Sequence, residues 1–155
     1  QDFGQEREWS EARELDWYLL GEEQNKGMHE YVKELLKLYN KYPAMYTIDN
    51  DWGGFEWLNA DDADHSVYSF FRKDGTGKNN IMFVLNMTPM MWENYKVGVP
   101  KKKKYKLLLN SDEKRFGGNG HEIPAELTAV KETCNYKDYS ISFDLPPYTA
   151  AVFVF

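Results

Sequence analysis

From Met28 to Tyr42 the chain carries apolar residues at helical spacing, and after Pro43 that spacing never returns for long enough to make a second helix. Met28, Tyr31, Val32, Leu35, Leu36, Tyr39 and Tyr42 fall on one face, while His29, Glu30, Lys33, Glu34, Lys37 and Lys41 take the other. Asn25 is the expected cap. Pro43 ends the run, because the residue before a proline disfavours helical backbone angles. Whatever the chain folds into must accommodate one long amphipathic helix followed by a remainder that is not helical.

That remainder is broken into short apolar runs by clusters of Gly, Asn, Asp and Pro: Phe55–Leu58, Val67–Phe71, Ile81–Leu85, Tyr105–Leu109, Ile141–Leu145 and Ala150–Phe155. The runs are too short for helices and rich in β-branched and aromatic residues, so they read as strands. Ile141, Phe143 and Leu145 alternate with Ser140, Ser142 and Asp144, the mark of a sheet with one wet face. Asp74-Gly75-Thr76-Gly77 carries turn chemistry between two runs and predicts a hairpin. No helical segment separates the strands, which argues against a parallel sheet and for an antiparallel sandwich. The helix stripe is wide enough that part of it can dock on that sandwich and part remain for something upstream. Each of its large side chains is worth roughly 1.5–3 kcal/mol when fully buried.

Composition narrows the function. The net charge is −6 with signs interspersed, which disfavours binding to nucleic acid, where affinity comes from clustered Lys and Arg. The basic run Lys101–Lys104 reads as a solvated turn between strands. No apolar run approaches the roughly 20 residues of a membrane-spanning helix, so no membrane partner is expected. The single cysteine, Cys134, allows no intrachain disulfide, which suits a reducing cytoplasm. Aromatic residues reach 16%, and an acidic, aromatic-rich chain has the chemistry for carbohydrate: rings for the C–H faces of sugars, carboxylates and amides for their hydroxyls.

Candidate chemistry is sparse. Asp61, Asp62 and Asp64 cluster in an expected hairpin turn, an exposed setting that raises no carboxyl pKa by burial, and Asp49 and Asp51 beside Trp52 are similar. His29 falls on the polar helix face, His65 in the acidic turn and His121 after the glycine-rich Phe116–Gly120. None has a second ligand at metal spacing, so neither metal nor cofactor is expected. The glycine-rich stretch does not lie between a strand and a helix, as a phosphate cradle should, and reads as an inter-strand loop. The tryptophans remain. Trp9 and Trp17 stand in the leading loop, Trp52 in a turn, Trp57 in an early strand and Trp92 in a connection. Core packing is the default for each, and any that is exposed becomes a stacking platform for sugar.

Several motifs occur in a distinctive order: Asp2-Phe3-Gly4-Gln5, Arg7-Glu8-Trp9 and Leu15-Asp16-Trp17; then Gly54-Phe55-Glu56-Trp57-Leu58, Asp61-Asp62 and Ser66-Val67. Asn86 with Thr88-Pro89, Tyr95 with Gly98-Val99-Pro100, Leu109-Asn110-Ser111-Asp112, Phe116-Gly117-Gly118 and Leu145-Pro146-Pro147 complete the series. Together they resemble the C-terminal end of bacterial glycogen branching enzymes, the 1,4-α-glucan branching enzymes of the α-amylase superfamily, and the resemblance covers nearly the whole chain.

The resemblance implies a fold: a Greek-key antiparallel β-sandwich of the α-amylase C-terminal type over 43–155, preceded over 1–42 by the loop and last helix of a (β/α)8 barrel. The chain would then be a piece of a longer one, in keeping with its start at Gln1. The family cleaves an α-1,4-glucan and rejoins the fragment through an α-1,6 bond, using three carboxylates on earlier barrel strands. No position here matches them, so no catalytic residue is expected. The loop bearing Arg7, Trp9, Asp16 and Trp17 would lie near the cleft. The implied partners are glycogen or another α-glucan and the catalytic barrel. A free-standing glucan-binding module would instead rely on exposed rings such as Trp9, Trp57 or Trp92. A purely structural domain would rely on the helix stripe.

Overall fold

The computed structural model describes residues 2–155. A 3-10 turn over Trp17–Gly21 leads into helix α1, Glu23–Lys41. Eight strands follow among the described residues: β1 (Phe55–Asp62), β2 (Val67–Arg72), β3 (Ile81–Asn86), β4 (Trp92–Val99), β5 (Lys104–Asn110), β6 (Glu126–Thr128), β7 (Tyr139–Leu145) and β8 (Ala150–Val154). Six form one sheet in the order β1-β2-β3-β8-β5-β6, and β4 pairs with β7 in the second. Every pairing is antiparallel. The chain crosses from one sheet to the other after β3, β4, β6 and β7, the interleaving expected of a Greek-key sandwich.

The strand patterns follow from which faces are covered. Ile141, Phe143 and Leu145 of β7 point inward and are buried and Ser142 and Asp144 are exposed, as the alternation requires, but Ser140 near the start of the strand is buried as well, against expectation. β3 and β8 do not alternate, because both of their faces are covered. Met82, Val84, Ala151 and Phe153 join the core between the sheets with Val97, Val99, Tyr105 and Ile141. Ile81, Phe83, Val152 and Val154 join a second cluster, where Tyr31, Leu35, Leu38 and Tyr42 of α1 lie on the outer face of the large sheet. The architecture is helix on sheet on sheet.

Only one side of the helix stripe is used in that contact. Tyr31, Leu35, Leu38 and Tyr42 dock, whereas Met28, Leu36 and Tyr39 remain exposed. The helix ends where Pro43 requires, with the Tyr42 amide donating to Leu38 O at 3.0 Å. Its start differs from expectation. Asn25 lies inside the first turn, and the cap position is Glu22, without a side-chain capping bond. The Asn25 side chain is occupied elsewhere: Nδ2 donates to Phe3 O at 2.8 Å and Gly4 O at 3.0 Å, tying the leading loop to the helix. His29 is also half-buried, and its Nδ1 is buried without a hydrogen-bond partner among the described residues, so it does not sit on a freely solvated face.

Two loops are held by aspartate side chains, one buried and one half-exposed. Asp112, after β5, accepts from the Asn119 amide at 2.8 Å and from the His121 amide at 2.9 Å, with His121 Nδ1 2.7 Å away. Gly118 passes so close that a Cβ there would fall 2.2 Å from Asp112 O. The glycine-rich stretch is therefore a folded inter-strand loop wrapped around one carboxylate. Lys101–Lys103 are exposed at the β4–β5 connection, as expected of a solvated turn, while Lys104, also exposed, already opens β5. Asp74 closes the β2–β3 hairpin by accepting from the Thr76 amide at 2.9 Å and the Gly77 amide at 3.1 Å.

Candidate functional site

The leading loop is ordered by an ion pair. Arg7 grips Asp16 with both arms, Nε donating to Oδ2 at 2.8 Å and the terminal nitrogen to Oδ1. The Asp16 amide donates to Gln5 Oε1 at 2.8 Å. Asp16 is 3% exposed, so its role is to fix the loop, while half of the Arg7 side chain stays open to solvent. Such a bidentate pair constrains geometry more than a simple contact would. Phe3 stacks on Trp17 with centroids 5.3 Å apart, which supports one face of that ring. Trp9, Trp17 and Trp57 are 67%, 52% and 54% exposed, so each presents a ring that core packing does not consume.

Trp57 stands at the end of an aromatic ladder. On the outer face of the large sheet, register sets Trp57 opposite Phe70, and Phe70 opposite Phe83. Phe83 and Phe70 stack at 4.8 Å, Phe70 and Phe55 at 5.2 Å, and Trp57 meets Phe55 edge-on at 5.1 Å. The inner end of the ladder lies under α1 and the outer end reaches solvent. A rigid, supported ring at a sheet edge loses little conformational entropy when a flat ligand lands on it. The ladder and the Arg7–Asp16 loop are separate features, and no hydrogen bond or ring contact among the described residues joins them.

The acidic turn is not the loose, exposed feature expected. Asp61 and Asp62 belong to β1, and only Asp64 lies in the turn. Asp62 accepts from the Tyr95 hydroxyl at 2.7 Å and has His65 Nδ1 at 2.6 Å. His65 in turn meets Trp92 edge-on at 4.6 Å. Trp92 opens strand β4 rather than lying in a connection. Burial works against ionisation of Asp62, but donation from Tyr95 and His65 outweighs it and holds the carboxyl below its ordinary range. The Tyr95 phenol moves up, first by burial and then by its bond to that carboxylate.

Asp112 behaves alike: burial opposes its charge, and the Asn119 and His121 donors more than offset it, lowering its pKa. A carboxyl whose folded pKa is depressed binds fewer protons in the native than in the unfolded state. The stability from Asp62 and Asp112 is thus present above the ordinary aspartate value of 3.8 and lost as pH falls through their lower folded values. Thermal melts between about pH 7 and 3 should be flat down to about pH 5 and fall below about pH 4. Asp112→Asn should start from a lower melting temperature and lose less of it in acid. An acid limb of equal depth in that variant would mean other carboxylates carry the effect.

Residues 57–155 match the family described as alpha amylase, C-terminal all-beta domain. The chain is 61% identical over all 155 residues to the 1,4-alpha-glucan branching enzyme GlgB of Butyrivibrio fibrisolvens, of which it covers 24%. To the enzyme of the same name from Geobacillus stearothermophilus it is 36% identical over 151 residues, covering 97% of this chain and 24% of that protein. The chain thus spans a minor part of the length of the curated relatives it matches. Among solved structures, a mutant of MUTB from crystals soaked with trehalulose superposes with a TM-score of 0.53 at 13% identity, over 91% of this chain and 20% of that one. Isomaltulose synthase from Erwinia rhapontici NX5 gives 0.50 at 18% identity, over 82% and 17%. At such identities the likeness is one of fold. With seven of its eight strands wholly within the matched span and β1 largely so, the chain belongs to the alpha-amylase C-terminal all-beta domain family.

Proposed function

We propose that this chain is a supporting, non-catalytic part of a cytoplasmic glycogen branching enzyme, whose whole protein transfers α-1,4-glucan segments to form α-1,6 branches. The observation that carries this reading is 61% identity sustained over the full length, against only 24% of a branching enzyme. Residues 1–42 would be the end of the catalytic barrel and 43–155 the sandwich attached to it. The exposed half of the helix stripe, Met28, Leu36 and Tyr39, fits a contact with that barrel, since an apolar strip left open on a docked helix is a surface for a partner. The purified chain should form no α-1,6 linkages in amylose. Measurable branching by this chain alone would overturn the reading.

A glucan contact outside the active site belongs to the same proposal, through Arg7, Trp9 and Trp17 on the loop, which the buried Asp16 holds in place, and Trp57 on the ladder. The exposed rings favour it over a role confined to packing. Native electrophoresis with and without glycogen tests it against a Trp-free protein of similar size and charge. Retardation by glycogen is the expected result. Trp57→Ala, at an exposed position, should weaken it about tenfold, the equivalent of about 1.4 kcal/mol. Unchanged mobility of the parent chain would leave the sandwich a scaffold. Unchanged retardation in the variant would remove the ladder from the contact.

A further inference from the structure

Beside the Asp62–His65 pair lies an open hollow of about 330 Å3, lined by Asn59, Asp62, His65, Trp92, Asn94 and Tyr95, with Asn135 at its rim. It lies where the end of β1 faces β4, so both sheets contribute to it. Its size falls at the lower end of the range for small-molecule sites, roughly 300–1,000 Å3.

The lining is unlike a general packing gap. His65 Nδ1 is committed to Asp62, so the ring's other nitrogen is the one left for a ligand hydroxyl. Trp92, His65 and Tyr95 supply ring surface, with His65 edge-on to both others at 4.6 and 5.8 Å. Asn59 and Asn94 supply amides. The charges leave no surplus cation: Asp62 and Glu93 are acidic, and Lys96 is engaged by Glu132. An anion is therefore disfavoured, and a neutral polyhydroxylated ring fits rings, amides and one hydrogen-bonded carboxylate.

Positive-φ backbone gathers around the hollow. Of the five described residues other than glycine with positive φ, Asn94 at 50° and Asn135 at 46° line the hollow, and Ser66 at 48° and Tyr136 at 59° each follow a lining residue in sequence. Ser66 follows His65, and Asn135-Tyr136 are the two central residues of a tight hairpin closed between Cys134 and Lys137. That turn demands positive φ at both positions and is met at least cost by Asn-Gly. Here the second position is a tyrosine whose side chain is fully exposed. Asn94, by contrast, both lines the hollow and is exposed, and residues held at sparsely populated backbone angles concentrate at ligand clamps.

We propose that this hollow is a binding subsite for one neutral hexopyranosyl unit of an α-glucan chain, with His65 and Asp62 addressing its hydroxyls, Trp92 its ring, and the exposed Asn94 its rim. The ligand class rests on the glucan contact argued above; the position does not coincide with the loop or the ladder.

The test is the affinity of the 155-residue chain for maltoheptaose by calorimetry, with His65→Ala, Asn94→Gly and Trp57→Ala compared, and a thermal melt for each. His65→Ala should weaken binding at least tenfold. Asn94→Gly should weaken it several-fold while the melting temperature holds or rises, because glycine takes the positive φ without cost; a residue retained only for folding would not separate the two readouts. If His65→Ala fails to fold, the Asn94→Gly result decides alone. Binding that survives both changes and is lost in Trp57→Ala overturns the subsite and leaves the glucan contact standing on the ladder. A parent chain that binds no maltoheptaose overturns both.

Discussion

Gly98→Ala should cost this domain about 3 kcal/mol or more, the largest loss expected of any single methyl group added on β4. Gly98 lies in the middle of the buried half of β4, paired with Ser140 of β7, and its amide donates to Asn135 Oδ1 at 2.9 Å. The Cys134–Lys137 hairpin passes directly over it. A Cβ built on Gly98 would stand 2.0 Å from Cys134 O and 2.7 Å from Cys134 C. Both atoms are backbone, so no side chain can swing aside. Either the hairpin lifts, or β4 shifts against β7 and disturbs Val97 and Val99, both buried in the core between the sheets.

For a chain of this length, 1 kcal/mol moves the melting temperature by roughly 2–4 °C, so the variant should melt about 6–12 °C lower. Gly21→Ala is the control. A Cβ there meets nothing within 4 Å and its φ is not positive, so the same substitution should be close to neutral. If Gly98→Ala lost less than about 1 kcal/mol, the hairpin would have to be far more compliant than a packed backbone normally is.

Gly98 also illustrates what could and could not be read from the chain alone. Its motif, Gly98-Val99-Pro100, was visible as a resemblance, but the reason for the glycine was not, because the atom it makes room for lies 36 residues away in sequence. Features fixed by local chemistry were legible: the helix face, the stop at Pro43, the hairpin at Asp74, and β7 through its alternation. β3 and β8 showed as unbroken apolar runs, since both of their faces are covered. β4 was missed over its whole length. Only Val97, Gly98 and Val99 are buried in it, and its first half is polar and kinked by Asn94 at positive φ, which erases the period-two signal. β6 buries only Leu127 of three residues, too little to register.

The candidate sites divide on the same ground. Trp57 could be placed on a strand, but its support by Phe55, Phe70 and Phe83 depends on cross-strand register, which sequence does not carry. Asp62 and His65 read as a solvated turn because the group that orders them, the Tyr95 hydroxyl, arrives from the other sheet. Asn25 read as a cap because its residue type and position suited one. A tertiary demand, the backbone carbonyls of Phe3 and Gly4, claimed it first.

Asn86→Ala carries the second large effect, and its logic is the completeness of one amide. Asn86 closes β3 at the point where the chain leaves the large sheet for the small one, and it is buried. Its Nδ2 donates to Met90 O at 2.7 Å and Pro146 O at 2.8 Å; its Oδ1 accepts from the Thr88 amide at 3.0 Å and the Thr88 hydroxyl at 2.8 Å. All four hydrogen-bonding capacities of the side chain are used. One group therefore pins the turn into β4 and the Pro146-Pro147 turn out of β7 to the end of β3. Alanine removes it and strands the Pro146 and Met90 carbonyls and the Thr88 amide, each partly or fully out of water. A buried group left unpaired costs about 1–3 kcal/mol, so about 3 kcal/mol is expected for the site. Asn86→Asp should be no better, since it keeps the acceptor but turns an anionic oxygen toward two carbonyls. Urea unfolding should show a lower midpoint with an unchanged slope, because the surface exposed on unfolding is the same. A changed slope would instead mean that the crossover frays in the native state, with Asn86 guarding cooperativity between the two sheets rather than the stability of either.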